Sequence, residues 1–148
     1  MLEITRPIAA PIPRARLILV VDDHEDVREL VAEVLRGHGT QVAAVPSVAA
    51  ALEVLGTLAV DVVVTDFSMP GASGLDLLRE MRDDPRWSRI PAVLISAHED
   101  RQELQRQAFL VGAEFLSKPF AFDDLERAIG ALCARDADAA RVEVPAED

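Results

Sequence analysis

The sequence predicts a doubly wound α/β fold on a mostly parallel five-stranded sheet, and two observations carry that prediction. Between Leu17 and Cys133, short apolar runs alternate five times with longer amphipathic stretches, the pattern of repeated strand-helix units. Three of those runs are apolar almost throughout, as strands covered on both faces must be. With 148 residues, 50% hydrophobic and 28% charged, the chain can bury one ordinary core.

The elements follow in order. Leu17 to Val21 is the first strand, followed by a helix from Asp26 to Arg36. Leu30, Val31, Val34 and Leu35 recur there at helical spacing and predict one buried stripe. Gln41 to Val45 is a weaker second strand, and Ser47 can cap a helix from Val48 to Leu58. The third strand is Val60 to Thr65, and Ser73 opens a helix from Gly74 to Arg82. Trp87, in the loop DDPRWSRIP, is placed over apolar surface with part of its ring exposed. Ala92 to Ser96 is the fourth strand, Asp100 to Leu110 the next helix, Glu114 to Ser117 a weaker fifth strand, and Phe122 to Cys133 the last helix. Gly37, Gly56 and Gly112 fall where the backbone must leave a helix. The apolar first, third and fourth strands should be central, and the second and fifth should be edges.

The ends read differently. Pro7, Pro11 and Pro13 make residues 1–15 an irregular extension, and residues 136–148, with Asp136, Asp138, Glu143, Glu147 and Asp148, read as an acidic flexible tail. One domain over 16–135 is expected between them. A formal charge of -11, from 15 Lys and Arg against 26 Asp and Glu, opposes direct binding to nucleic acid or anionic lipid. No apolar run reaches the roughly 18 residues that span a bilayer, and the proline-broken start lacks a signal peptide's apolar region. Cys133 is the single cysteine, so no internal disulfide is possible. Cytoplasm is the expected compartment. A stand-alone chain without an output domain is expected from Met1 and from the short stretch past Arg135, and an excised fragment fits as well.

Ligands of open alternating sheets gather outside the carboxyl ends of the strands. There the chain places Asp22 and Asp23 after strand one, Asp66 after strand three, Ser96 at the end of strand four, and Lys118 with Pro119 after strand five. Two like charges about 4 Å apart cost roughly 4 kcal/mol at an effective dielectric near 20, so the carboxylates need compensation. A hard divalent ion such as Mg²⁺ suits an oxygen-rich cluster and commonly bridges to phosphate, and Lys118 can grip a phosphoryl oxygen as a point charge. Asp66 can be a nucleophile that forms an acyl phosphate. Ser96 can donate to a phosphoryl oxygen, and no general base is needed for the transfer.

The residues that carry this chemistry sit in four segments: VVDDHEDVREL (20–30), TDFSMPGASGLDLL (65–78), IPAVLISAHED (90–100) and GAEFLSKPF (112–120). In their order and on these strand ends, the chain from about Leu17 to Arg135 resembles the response-regulator receiver family, chemotaxis-regulator-like and single-domain. The resemblance implies a flavodoxin-like (βα)5 doubly wound parallel sheet, strand order 2-1-3-4-5. By the same resemblance Asp66 is the phosphoacceptor, Asp23 the direct metal ligand, and Asp22 the acidic partner that reaches the ion through water. Ser68 supplies a backbone carbonyl to the metal, and the ion is Mg²⁺ or Mn²⁺. Ser96 and Lys118 contact the phosphoryl group, and Pro119 is the proline often held through a cis bond. Pro70 and Gly74 match the turn and helix start after the acceptor.

Phe115 matches the aromatic switch position, where the family has Tyr or Phe. The chain has no tyrosine, so packing alone would govern the ring's inward move. Ser68 and His98 match positions that tune acyl-phosphate hydrolysis; a small Ser68 admits water, while His98 can orient it, block it, or stand as an exposed loop residue. The resemblance further implies a sensor histidine kinase or histidine phosphotransfer protein as donor. A downstream protein target would meet the face of the fourth helix, fifth strand and fifth helix. His24 and His38 read as exposed helix-start and helix-end residues without a role.

Three functions compete at this point. A phosphoryl-switched signalling module uses the whole set of Asp22, Asp23, Asp66, Ser96 and Lys118. An aspartate-nucleophile phosphatase needs a general acid or base beside the nucleophile, and Ser68, two residues past Asp66, is not one. A phosphorylation-independent binding module leaves the set unused, and a dinucleotide site lacks its glycine-rich loop after strand one, where DHEDVRE stands. Asp22 and Asp23 as mere caps of the first helix leave Asp66 and Lys118 unexplained.

Overall fold

The computed structural model describes residues 15–97 and 100–133. Along the chain run β1 (Leu17–Val21), α1 (Glu25–Arg36), β2 (Gln41–Val45), α2 (Val48–Thr57), β3 (Val62–Asp66), α3 (Gly74–Asp83), β4 (Ala92–Ser96), α4 (Arg101–Leu110) and β5 (Ala113–Ser117). A last helix, α5, covers 122–133. The five strands form one sheet in the order β2-β1-β3-β4-β5, and each neighbouring pair is parallel. This is the expected doubly wound topology.

The alternation of side chains along each strand divides the core into two layers. Leu19, Val21, Val63, Ala92 and Leu94 face α2, α3 and α4, where they meet Ala51, Leu55, Leu77, Leu78, Met81 and Ala108. Ile18, Val20, Val62, Val64, Val93 and Ile95 face α1 and α5, where Val31, Leu35, Leu125, Ile129 and Leu132 close over them. Every residue of β3 and β4 is buried, whereas β2 and β5 are only half-buried, so the apolar runs do mark the central strands. Ala15 is buried in the α1–α5 layer; residues 1–14 and 134–148 lie outside the described residues.

The predicted caps are made. Ser47 accepts from the Ala50 amide at 3.1 Å, and Ser73 forms a full capping box with Asp76. Helix ends shift by a residue or so, as frayed ends do.

Other expectations need correction. Leu30 is 50% exposed, because α1 meets the sheet through Val31, Ala32 and Leu35; at about 100° per residue that face turns Leu30 outward. Of the three glycines placed at helix ends, Gly37 does cap α1, with a right-handed φ of -62°, and Gly112 follows α4 at φ 70°. Gly56 lies within α2. Val60 is buried but precedes β3, which starts at Val62; between them the Asp61 amide donates to the Leu17 carbonyl at 2.9 Å and the Asp61 carboxylate accepts the Arg16 and Leu17 amides at 2.8 and 2.9 Å. His38 is not exposed: its side chain is 11% accessible, with Nε2 2.6 Å from Glu126 Oε2 of α5. Trp87 is buried, its Nε1 donating to the Leu55 carbonyl at 3.2 Å and Arg86 stacked 4.3 Å over the ring.

Candidate functional site

A parallel sheet sends all its carboxyl ends to one edge, which is why Val21, Asp66, Ser96 and Ser117, distant in sequence, end together. Asp66 pairs with Ile95 in register, and the next amide, Phe67, donates to the Ile95 carbonyl at 2.7 Å. The chain then turns into α3 through a very close approach. A Cβ on Gly74 would stand 2.1 Å from the Asp66 carbonyl oxygen and 2.9 Å from Thr65 Oγ1, so only glycine lets α3 start against the strand end. The Gly74 amide donates to the Phe67 carbonyl at 3.0 Å. On the neighbouring strands the Lys118 amide donates to the Ser96 carbonyl at 2.9 Å, and the Lys118–Pro119 bond is cis.

The side chains converge. Lys118 Nζ lies 2.8 Å from Asp66 Oδ1, and the Ser68 amide donates to Asp66 Oδ2 at 3.1 Å. Asp66 is 4% exposed. Burial raises its carboxyl above the usual carboxylate range and the nearby Asp22 charge pushes the same way, against the lowering effects of the Lys118 hydrogen bond and charge and the Ser68 amide. Ser96 is buried at 1% exposure.

Asp22 is also buried, and its Oδ1 accepts the His24 amide at 2.9 Å while its carbonyl accepts Arg28 Nη1 at 3.0 Å. Asp23 Oδ1 is buried without a hydrogen-bond partner. His24 Nδ1 lies 3.3 Å from it and stands at the same 3.3 Å from Asp22 Oδ1. One donor atom from each of Asp22, Asp23 and His24 falls within 4.8 Å of the others. An orphaned carboxylate oxygen among carboxylates is costly unless a cation satisfies it, so this donor set fits a divalent ion.

Asp22, Asp23, Asp66, Ser96 and Lys118 are thus brought to one edge. Ser68 is exposed beside Asp66, and His98 lies outside the described residues. Phe115 is half-buried against the α2–α4 layer and lines a cleft of about 430 Å³ with Arg101, Gln105, Pro119 and Asp124. Sequence reasoning misses His24; its place directly after the paired aspartates is the available signal. Trp87 lies in the loop between α3 and β4, on the amino side of the strand whose carboxyl end carries Ser96.

Such an edge can receive an anion: one buried carboxylate held by an ammonium, a second carboxylate pair able to take a cation, and a buried hydroxyl nearby. Comparison with known proteins agrees. The sequence profile of the response regulator receiver domain matches residues 18–130. The chain is 33% identical over 119 residues to the chemotaxis protein CheY of Pseudomonas aeruginosa, covering 80% of this chain and 96% of that protein. It superposes on a response regulator receiver domain protein from Clostridium thermocellum with a TM-score of 0.74 at 30% identity, over 82% of this chain and 96% of that one. For the response regulator TrrA of Thermotoga maritima, solved in complex with Mg²⁺-BeF, the TM-score is 0.70 at 29% identity, over 79% and 98% of the two chains. With the profile spanning most of the chain and the fold and strand-edge residues in agreement, this chain belongs to the response regulator receiver domain family of two-component signalling.

Proposed function

We propose that this chain is a phosphoryl-accepting switch in a two-component phosphorelay, with Asp66 as the acceptor. The observation that carries the reading is the buried Asp66 carboxylate held by Lys118 Nζ at 2.8 Å, because a carboxylate kept out of water beside a mobile cation is poised to attack and then to be relieved of its charge partner. An Asp66 oxygen attacks the phosphorus of a phosphohistidine on a sensor kinase or histidine phosphotransfer protein. The N–P bond breaks, and the leaving imidazole takes a proton from solvent. Lys118 passes from Asp66 Oδ1 to a phosphoryl oxygen, and the Ser96 hydroxyl donates to another. A divalent cation, Mg²⁺ or Mn²⁺, held by Asp22, Asp23, Asp66 and the Ser68 carbonyl, would supply positive charge to the phosphoryl oxygens.

The output in this reading is a surface. As Ser96 is drawn to the phosphoryl group, Phe115 gains room to move inward by packing, and the cleft it lines between α4, β5 and α5 changes shape for a protein target. The chain is an acceptor and not a turnover enzyme, acts in the cytoplasm, and binds no nucleic acid directly; its -11 charge supports the last point. Among the described residues, no helix is long and apolar enough to cross a membrane. Ser68 and His98 set the lifetime of the acyl phosphate. Acetyl phosphate with Mg²⁺ should label the wild type at one hydroxylamine-labile site and leave Asp66→Asn unlabelled; equal labelling of the variant overturns the reading.

A further inference from the structure

We propose that His24 is a nitrogen donor to the cation site, which makes this site favour borderline transition ions over Mg²⁺ more strongly than an all-oxygen site does. The inference rests on the Asp22–Asp23 cation site of the proposed function. Its basis is one geometric relation: His24 Nδ1 is 3.3 Å from Asp22 Oδ1 and 3.3 Å from Asp23 Oδ1, and Asp23 Oδ1 is buried without a hydrogen-bond partner.

Ligand atoms on one ion must be neighbours at a characteristic spacing. With bonds of about 2.1 Å, adjacent donors are about 3.0 Å apart in an octahedron and about 3.4 Å apart in a tetrahedron. The two nitrogen–oxygen separations of 3.3 Å fall between these values, and all three donor atoms lie within 4.8 Å of one another, so small shifts of the exposed ring and of the carboxylates can bring all three donors onto one ion. The ring has that freedom, because its side chain is 65% exposed, and its backbone is fixed by the amide bond to Asp22 Oδ1 and by the Arg28 amide on its carbonyl. In the neutral tautomer with the proton on Nε2, the Nδ1 lone pair faces the two carboxylates.

Mg²⁺ prefers oxygen and gains little from an imidazole, whereas Mn²⁺, Ni²⁺ and Zn²⁺ accept one, with affinity rising along the first-row series to copper. The rival reading makes the same ring an imidazolium counter-ion that competes with every cation. The two readings predict opposite signs for removal of the ring.

The test titrates the full chain with Mg²⁺, Mn²⁺ and Ni²⁺ by calorimetry and records pulsed EPR of the Mn²⁺-loaded protein. His24→Ala should weaken Ni²⁺ binding by about tenfold or more, since loss of groups that merely support a ligand already costs that much. Mg²⁺ affinity should stay within about threefold, and a ¹⁴N coupling present in the wild type should vanish. His24→Phe, which keeps a ring of similar size, should behave as His24→Ala. Unchanged Ni²⁺ affinity without nitrogen coupling overturns the inference, and so does tighter binding of all three ions in the variants. In both of those cases, loss of Mg²⁺ binding in Asp23→Asn leaves the underlying site standing. A wild type that binds none of the ions overturns that site reading itself.

Discussion

Lys118 Nζ reaches Asp66 Oδ1 at 2.8 Å, tying the end of β5 to the end of β3 across the intervening β4. Lys118 keeps 26% of its side chain exposed while Asp66 keeps 4%, so the cation stands at the rim and the carboxylate beneath it. Replacement by Lys118→Met leaves the carboxylate buried without its main favourable partner. Its titration should then move further above the usual carboxylate range, read by the ¹³C shift of the Asp66 carboxyl. Labelling by acetyl phosphate should slow by about 100-fold or more, the scale for a removed charge-stabilising donor. An unmoved titration would show that the pair does not govern Asp66.

The raised Asp66 titration has a consequence for stability, with a definite sign. Because burial raises the folded value above the unfolded one, the native state holds the proton more readily. The stabilising contribution is present below the unfolded value and is lost as pH rises through the folded one. At neutral pH the ionised Asp66 therefore works against the fold, and Asp66→Asn should melt at a higher temperature than the wild type. The gap should close as pH falls below the ordinary carboxylate value. Thermal melts in metal-free buffer at both pH extremes check this, and a lower melting point for the variant at neutral pH contradicts it.

Gly74 limits how closely α3 can start against β3. An added Cβ would lie 2.1 Å from the Asp66 carbonyl oxygen, and backbone cannot move aside as a flexible side chain does. Gly74→Ala should therefore cost about 1–3 kcal/mol, the range for an overpacked interior, and should shift the Asp66 strand end, lowering the labelling rate as well. Denaturant unfolding gives the first quantity. Gly71→Ala is the control for a backbone effect without the clash, because Gly71 has φ 82° and an added Cβ there would meet nothing within 4 Å.

How much of this is legible in the sequence depends on the distance over which the cause acts. The strands, the Ser47 and Ser73 caps, and the gathering of Asp22, Asp66, Ser96 and Lys118 follow from period, composition and strand polarity, all local or topological. Leu30 misleads because four apolar residues fit more than one helical face, and small Ala32 lets α1 settle on another. His38 and Glu126 are 88 residues apart in sequence, a pairing that no local signal announces. His24 taken by itself reads as a surface residue, and its meaning lies in the two carboxylates before it.

Arg82 is a second long-range device that periodicity does not reveal. From α3 its Nε donates to the Val111 carbonyl at 2.6 Å and its Nη1 to the Ser88 and Ile90 carbonyls at 3.3 and 2.8 Å. One guanidinium so fastens the α3–β4 loop and the α4–β5 turn to α3, at the sheet edge opposite Asp66. Burial lowers its titration from the ordinary value, yet an arginine remains charged at any working pH. Arg82→Met fills similar space but removes the donor of three part-buried carbonyls, and should cost about 2 kcal/mol, within the range for acceptors that lose their partner. Arg82→Lys should recover only part of that, because an ammonium does not reproduce the planar fork. Urea unfolding ranks the three proteins. Phosphoryl labelling of the folded variants should match the wild type, because this device lies at the opposite edge from the acceptor; a loss of labelling in folded Arg82→Met would show that the two edges are coupled.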